Sequence, residues 1–128
     1  MNKLINTKAL GDMFEQISSQ HFGIDERLLF EMQAMALQSQ LYATARTPKV
    51  NQICESLKQR NGDNTIGIFK DAAGETYVST QTAATLGEYL INNIAGVSQQ
   101  AIVNSLTTAL QHAPDFSHMK ANLTPVTP

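Results

Sequence analysis

Residues 111–118, QHAPDFSH, hold the densest set of side chains able to do chemistry: His112, Asp115 and His118. Imidazole and carboxylate are common metal ligands, but a site needs them to converge from a rigid scaffold. Pro114 interrupts any helix that would align the three, so a surface loop is expected here rather than a metal centre. His21 precedes Phe22 and Gly23 at a predicted helix C-terminus, where an imidazolium would complement exposed carbonyls. The single cysteine, Cys54, shares an apolar helical face with Ile53 and Leu57. A reactive thiol wants exposure and a cationic neighbour, so Cys54 reads as a small core residue. Asp25, Glu26 and Glu31 suit the first turns of a helix, Asp12 and Glu15 a solvated face. Gly67, Gly74 and Gly87 are too scattered to form a phosphate-binding loop. These residues assign no catalytic group, no cofactor and no metal, and the chain is expected to be non-enzymatic.

The elements that would position such groups follow from hydrophobic periodicity. Leu10, Met13, Phe14 and Ile17 recur at helical spacing, with Asn6 or Thr7 as N-cap and Gly23 as the stop. Asp25 suits the cap of a longer helix reaching about Ala45, with Leu28, Leu29, Met32, Met35, Ala36 and Leu41 spread over a wide apolar face. Pro48 fits the first position of a third helix, where Val50, Ile53, Cys54 and Leu57 line one face until residues 61–64, NGDN, end it.

The texture changes at Thr65. Ile66, Ile68 and Phe69, then Tyr77 and Val78, flank DAAG, which predicts a β-hairpin near 65–79. A lone hairpin is marginal in water, so it is expected to lie on the helices or pair with another strand, for example one from a second copy of the chain. Thr80 or Thr82 can cap a helix carrying Ala83, Leu86, Leu90, Ile91 and Ile94, and Ser98 another carrying Ile102, Val103, Leu106 and Leu110. The expected fold is therefore mainly α, about five helices, with one β-hairpin between a three-helix N-terminal part and a two-helix C-terminal part. Residues 1–119 form the single domain on this reading, and 120–128, with two Thr-Pro steps, a flexible C-terminal tail.

The 128 residues suffice for one core without a metal or disulfide. One cysteine, no apolar run of signal-peptide length and no membrane-spanning stretch point to a cytoplasmic setting. An uncleaved export signal would leave no trace in such an N-terminus. Net charge is −2, and of the nine basic residues only Lys70 and Lys120 lie beyond residue 64.

Residues 92–106, NNIAGVSQQAIVNSL, raise a sharper question. Ala95, Gly96, Val97, Ser98, Ile102 and Leu106 stand where the helix-turn-helix of the lactose-repressor family has its small residue, turn glycine, buried aliphatic, cap and two later aliphatics, so the stretch resembles that motif. The resemblance implies a small DNA-binding regulator using residues 82–112, with Ser98, Gln99, Gln100 and Asn104 at the DNA. Asn92 departs from it, since the crossing of two such helices wants a small residue. The presumed recognition helix also lacks Lys and Arg, which normally supply much of the phosphate affinity. Two core helices joined by a tight turn account for the same residues, so nucleic acid is the disfavoured partner.

The preferred expectation is a protein-interaction module, an adaptor, inhibitor or accessory subunit of a bacterial or phage system, forming a homo-oligomer such as a dimer. Its partner surface is assigned to the second helix, through Phe30, Met32, Met35, Leu37 and Leu41, with the hairpin edges as a second route.

Overall fold

The computed structural model describes residues 2–43, 46–62, 64–94 and 99–126. The chain is mainly helical with one small sheet, as expected. In order it forms β1 (Leu4–Asn6), α1 (Thr7–His21), α2 (Ile24–Leu41), α3 (Pro48–Asn61), β2 (Ile68–Lys70), β3 (Thr76–Ser79), α4 (Thr80–Asn92) and α5 (Gln99–His112). A 3-10 helix (Ser117–Asn122) and β4 (Thr124–Pro125) follow.

Local chemistry explains the boundaries. Asn6 accepts from Lys8 N at 2.8 Å to start α1, and Thr47 accepts from Val50 N ahead of Pro48 in α3. Gly62 ends α3 in the left-handed conformation, φ 73°. Two caps lie earlier than the sequence suggests. Gly23, not Asp25, precedes α2, and Ser79, not Thr80 or Thr82, caps α4 by accepting from Thr82 N. The Arg46 guanidinium donates to Gln40 O and Leu41 O, satisfying carbonyls that the last turn of α2 leaves open. The expected end of that helix at Ala45 lies outside the described residues.

The β2–β3 hairpin turns on Asp71, whose Oδ1 accepts from Ala73 N and Glu75 N, both at 2.9 Å, with Gly74 at φ 86°. Its edges are not free. The sheet runs β1-β3-β2-β4, antiparallel throughout, with Ile5 opposite Val78, Phe69 opposite Tyr77 and also opposite Pro125. β1 and β4 of the same chain thus flank the hairpin, and a second copy is not needed to pair its edges. The C-terminal expectation is corrected likewise. Val126 N donates to Ile68 O at 2.8 Å and the Val126 side chain is buried, so residues 124–126 belong to the fold.

Strand alternation shows why the end must return. Ile5, Ile68 and Val78 point into the main helical core, while Leu4, Phe69 and Tyr77 emerge on the opposite face. Leaving the latter wet would expose two aromatic rings. Phe116, Met119 and Leu123 cover them, with the Tyr77 and Phe116 ring centroids 5.4 Å apart.

On the helical side, α4 is central, packing on α2, α3, α5 and β3. Gly87 permits a close approach. A Cβ there would sit 2.2 Å from Leu106 Cδ2 and 3.2 Å from Phe14 Cε1, so α5 and α1 both press on α4 at this position. At the start of α4, Thr82 Oγ1 donates to Ile66 O at 3.0 Å and accepts from Asn61 Nδ2 at 3.0 Å, while Ser79 Oγ donates to Asn61 Oδ1 at 2.8 Å. Replacing the buried Thr82 with Val keeps the shape but leaves Asn61 and Ile66 each short of a partner. Thr82→Val should destabilise the fold by about 1–3 kcal/mol, read from the urea midpoint of the variant against the parent.

Candidate functional site

The apolar circumference of α2 divides into two stripes. Phe30, Leu37 and Leu41 are buried, Phe30 with its ring centroid 5.7 Å from Phe14 and 5.9 Å from Phe22. On the far side Ile24, Leu28, Met32 and Met35 are 74%, 55%, 68% and 71% exposed, with Leu29 and Tyr42 beside them. Of the residues expected to meet a partner, Phe30, Leu37 and Leu41 therefore belong to the core and only Met32 and Met35 to the outside. Ile24, Leu28 and Leu29, which sequence reasoning left out of that set, join them. The steps from Ile24 to Leu28, Met32 and Met35 are those of neighbours on one helix face, and the stripe from Ile24 to Tyr42 is about 27 Å long at 1.5 Å per residue.

Beside this stripe a cleft of about 320 Å³ opens between α1 and α2. The aromatic contacts of Phe14 and Phe22 with Phe30 hold the two helices together toward their connection. Farther along, Gly11 and Ala34 contribute little bulk to the walls, and Ile68, Val78, Leu86 and Leu90 form part of the lining. Among the described residues the polar lining is Thr7, Glu15, Ser18, Glu31, Gln38 and Tyr42, none of them cationic. Burial pushes the Tyr42 phenol up from its ordinary value, a hydrogen bond with Thr76 opposing it. Met35 and Tyr42 belong both to the cleft and to the exposed stripe.

The residues assigned to DNA are placed differently. Ser98, with the rest of the proposed turn at 95–98, lies outside the described residues. Gln99 Nε2 donates to Ile94 O at 3.2 Å, and Gln100 Nε2 donates to Asn104 Oδ1 at 3.0 Å. Asn104 borders a hollow shared with Gln16 and Gln20 of α1, so this part of α5 faces a neighbouring helix. Asn92 is exposed, and the small residue that admits α5 is Gly87, so no amide is buried at a crossing.

Nearby cations are already engaged. Lys3 Nζ donates to Gln111 O and Ala113 O at the end of α5. Arg46 caps α2, Lys49 lies 5.0 Å from the Tyr89 ring centroid, Lys58 pairs with Glu55 at 3.4 Å, and Arg60 donates to Thr85 Oγ1.

Among the described residues no three His, Cys, Asp or Glu side chains are grouped to hold a metal ion. Asp115 Oδ1 accepts from Leu4 N at 3.1 Å and from Ser117 N and Oγ, tying the start of the 3-10 helix to β1. His118 stacks obliquely near Phe116, and His21 Nε2 meets Ser105 Oγ at 3.2 Å. Cys54 lies in the core, where burial pushes its thiol up against the pull of Arg46 and Lys58. No described helix is long and apolar enough to cross a membrane. Comparisons with protein-family models, with curated proteins and with solved structures gave no match.

The hydrogen bonds from Ser117 and the Leu4 amide hold the Asp115 carboxyl below its ordinary 3.8. A depressed folded value means that the carboxylate contributes stability above the ordinary value and loses it as pH falls through the folded one. Asp115→Asn should therefore lower the urea midpoint at neutral pH, and the gap to the parent should close on acidification below pH 3.8.

Proposed function

We propose that the protein is a non-enzymatic interaction module, an adaptor, inhibitor or accessory subunit of a bacterial or phage system, whose outer α2 face receives the apolar face of another protein chain. The observation that carries this reading is the uncovered stripe Ile24, Leu28, Met32 and Met35. Scattered single apolar residues are normal on a surface, but a continuous stripe marks an interaction site. Methionine suits that role because its flexible thioether adapts to differently shaped partners.

Asp25, Arg27 and Glu31 also stand on α2 and provide charges for partner choice around the apolar strip. A helix laid along the stripe is the simplest complement, and a second copy of this chain can supply one. The two edges of the hairpin are occupied by β1 and β4, which leaves α2 as the exposed apolar surface among the described residues. The arrangement of α5 gives the DNA reading no added support, since its helix carries no Lys or Arg and Gln99 is committed to Ile94.

The test combines sedimentation of the purified chain with capture from its host lysate, with and without nuclease. Met32→Glu and the double change Leu28→Glu, Met32→Glu alter exposed positions, so stability should stay within about 0.5 kcal/mol of the parent. Self-association, or retention of a stoichiometric nuclease-resistant protein, should weaken at least about tenfold. A strictly monomeric parent whose captured proteins are unchanged by both variants would overturn the reading, and DNA lost with nuclease would move the function to α5.

A further inference from the structure

We propose that the cleft between α1 and α2 is a binding site for a small hydrophobic amine, an apolar body of about one ring and a short chain bearing a protonated head. The inference is independent of the protein-association reading, since it concerns what fills the cleft rather than what covers the stripe.

Size and walls come first. At about 320 Å³ the cleft falls in the range of small-molecule sites, roughly 300–1,000 Å³. It is also about twice the dry apolar cavity, roughly 150 Å³, that accepts benzene. Its apolar lining includes Leu10, Phe14, Phe30, Leu41 and Leu86, so displacing water with a ring and a chain is favourable.

The glycines carry the second step. Gly87 has a packing reason, since Leu106 and Phe14 occupy the space of a side chain. Gly11 has none. It lies inside α1 with helical backbone, a Cβ there would meet no atom within 4 Å, and it lines the cleft. Gly11 is exposed, so the lack of a side chain there leaves the rim of the cleft open to solvent on the α1 side.

Charge selects the head group. Glu15 and Glu31, both exposed at the rim, contribute the ionisable carboxylates of the lining, one from each helix, and among the described lining residues there is no Lys or Arg. A fatty carboxylate entering here would meet like charge. An ammonium would meet two carboxylates, with Gln38 and the Tyr42 hydroxyl as further polar lining groups.

Phenylbutylamine, phenylbutanol and phenylbutyrate share one apolar body and differ in head charge. Titrating each into the isotopically labelled full chain and following amide shifts along α1 and α2 should rank the amine first and the acid last, with about fivefold between them. The double change Glu15→Gln, Glu31→Gln should remove that preference while leaving the neutral alcohol's affinity unchanged. Gly11→Leu should weaken cleft shifts for all three by placing bulk at the rim and raise the melting temperature, because leucine is the better helix former and a Cβ there meets no neighbour. Met32→Glu, which alters the exposed stripe, should leave the titrations as they are. Three results would overturn the proposal: acid binding as well as amine, no cleft shift at millimolar ligand, or Gly11→Leu binding like the parent.

Discussion

The buried hydroxyl of Thr82 is the point on which the arrangement turns. Its single proton goes to Ile66 O, its lone pairs receive the Asn61 amide, and Ser79 links Asn61 back to the first turn of α4. Three separate pieces of chain are thereby fixed at one place: the last residue of α3, the approach to β2 and the β3–α4 junction. Every group in the node has a partner, which matters because an unsatisfied polar group is costly at zero solvent exposure. Gly67 is the consequence for the backbone. It has φ 74°, and a Cβ would lie 2.2 Å from Thr82 Oγ1 and 2.8 Å from Asn61 Nδ2, so the chain can pass the node only without a side chain. Since β3 pairs with both β1 and β2, and α4 packs on three other helices, this node sets where Val78, Leu86 and Leu90 stand beneath the α1–α2 cleft.

The helices were legible because each main stripe repeats over three or four turns and carries its own start or stop signal. Their caps were less so. Asn61, Ser79 and Thr82 are ordinary polar residues in sequence, and nothing in their spacing reveals that they meet. Strands β1 and β4 are three and two residues long, too short to show alternation. Their signal was indirect: Phe69 and Tyr77 lie on one face of the hairpin and Ile68 and Val78 on the other, so the hairpin needed cover on two faces. Phe116, Met119 and Leu123 were that cover, hidden in a segment whose Lys120, Asn122 and Thr-Pro steps resemble a loose tail.

The candidate surface was half legible for a different reason. Both sides of α2 are apolar, so periodicity could locate two stripes but could not say which faced inward. Phe30 decides it through its aromatic neighbours on α1 and at Phe22, and Leu37 and Leu41 follow on the same side. The cleft had no such signal. A void is a property of how helices are placed, and no spacing of residues in the sequence marked it.

Magnitudes limit what the stripe can do on the proposed reading. Fully burying one large apolar side chain contributes about 1.5–3 kcal/mol, so the four of the stripe, already partly covered, supply roughly 4–8 kcal/mol. Association costs an estimated 4–15 kcal/mol in lost freedom, depending on the treatment. The stripe alone therefore supports weak, exchangeable binding, and a tight complex requires contacts beyond it. Glu31 and Met35 are placed to provide such a connection, because both line the cleft while standing on the same helix as the stripe. A protein partner that reached them would add buried area next to the stripe without requiring a second helix.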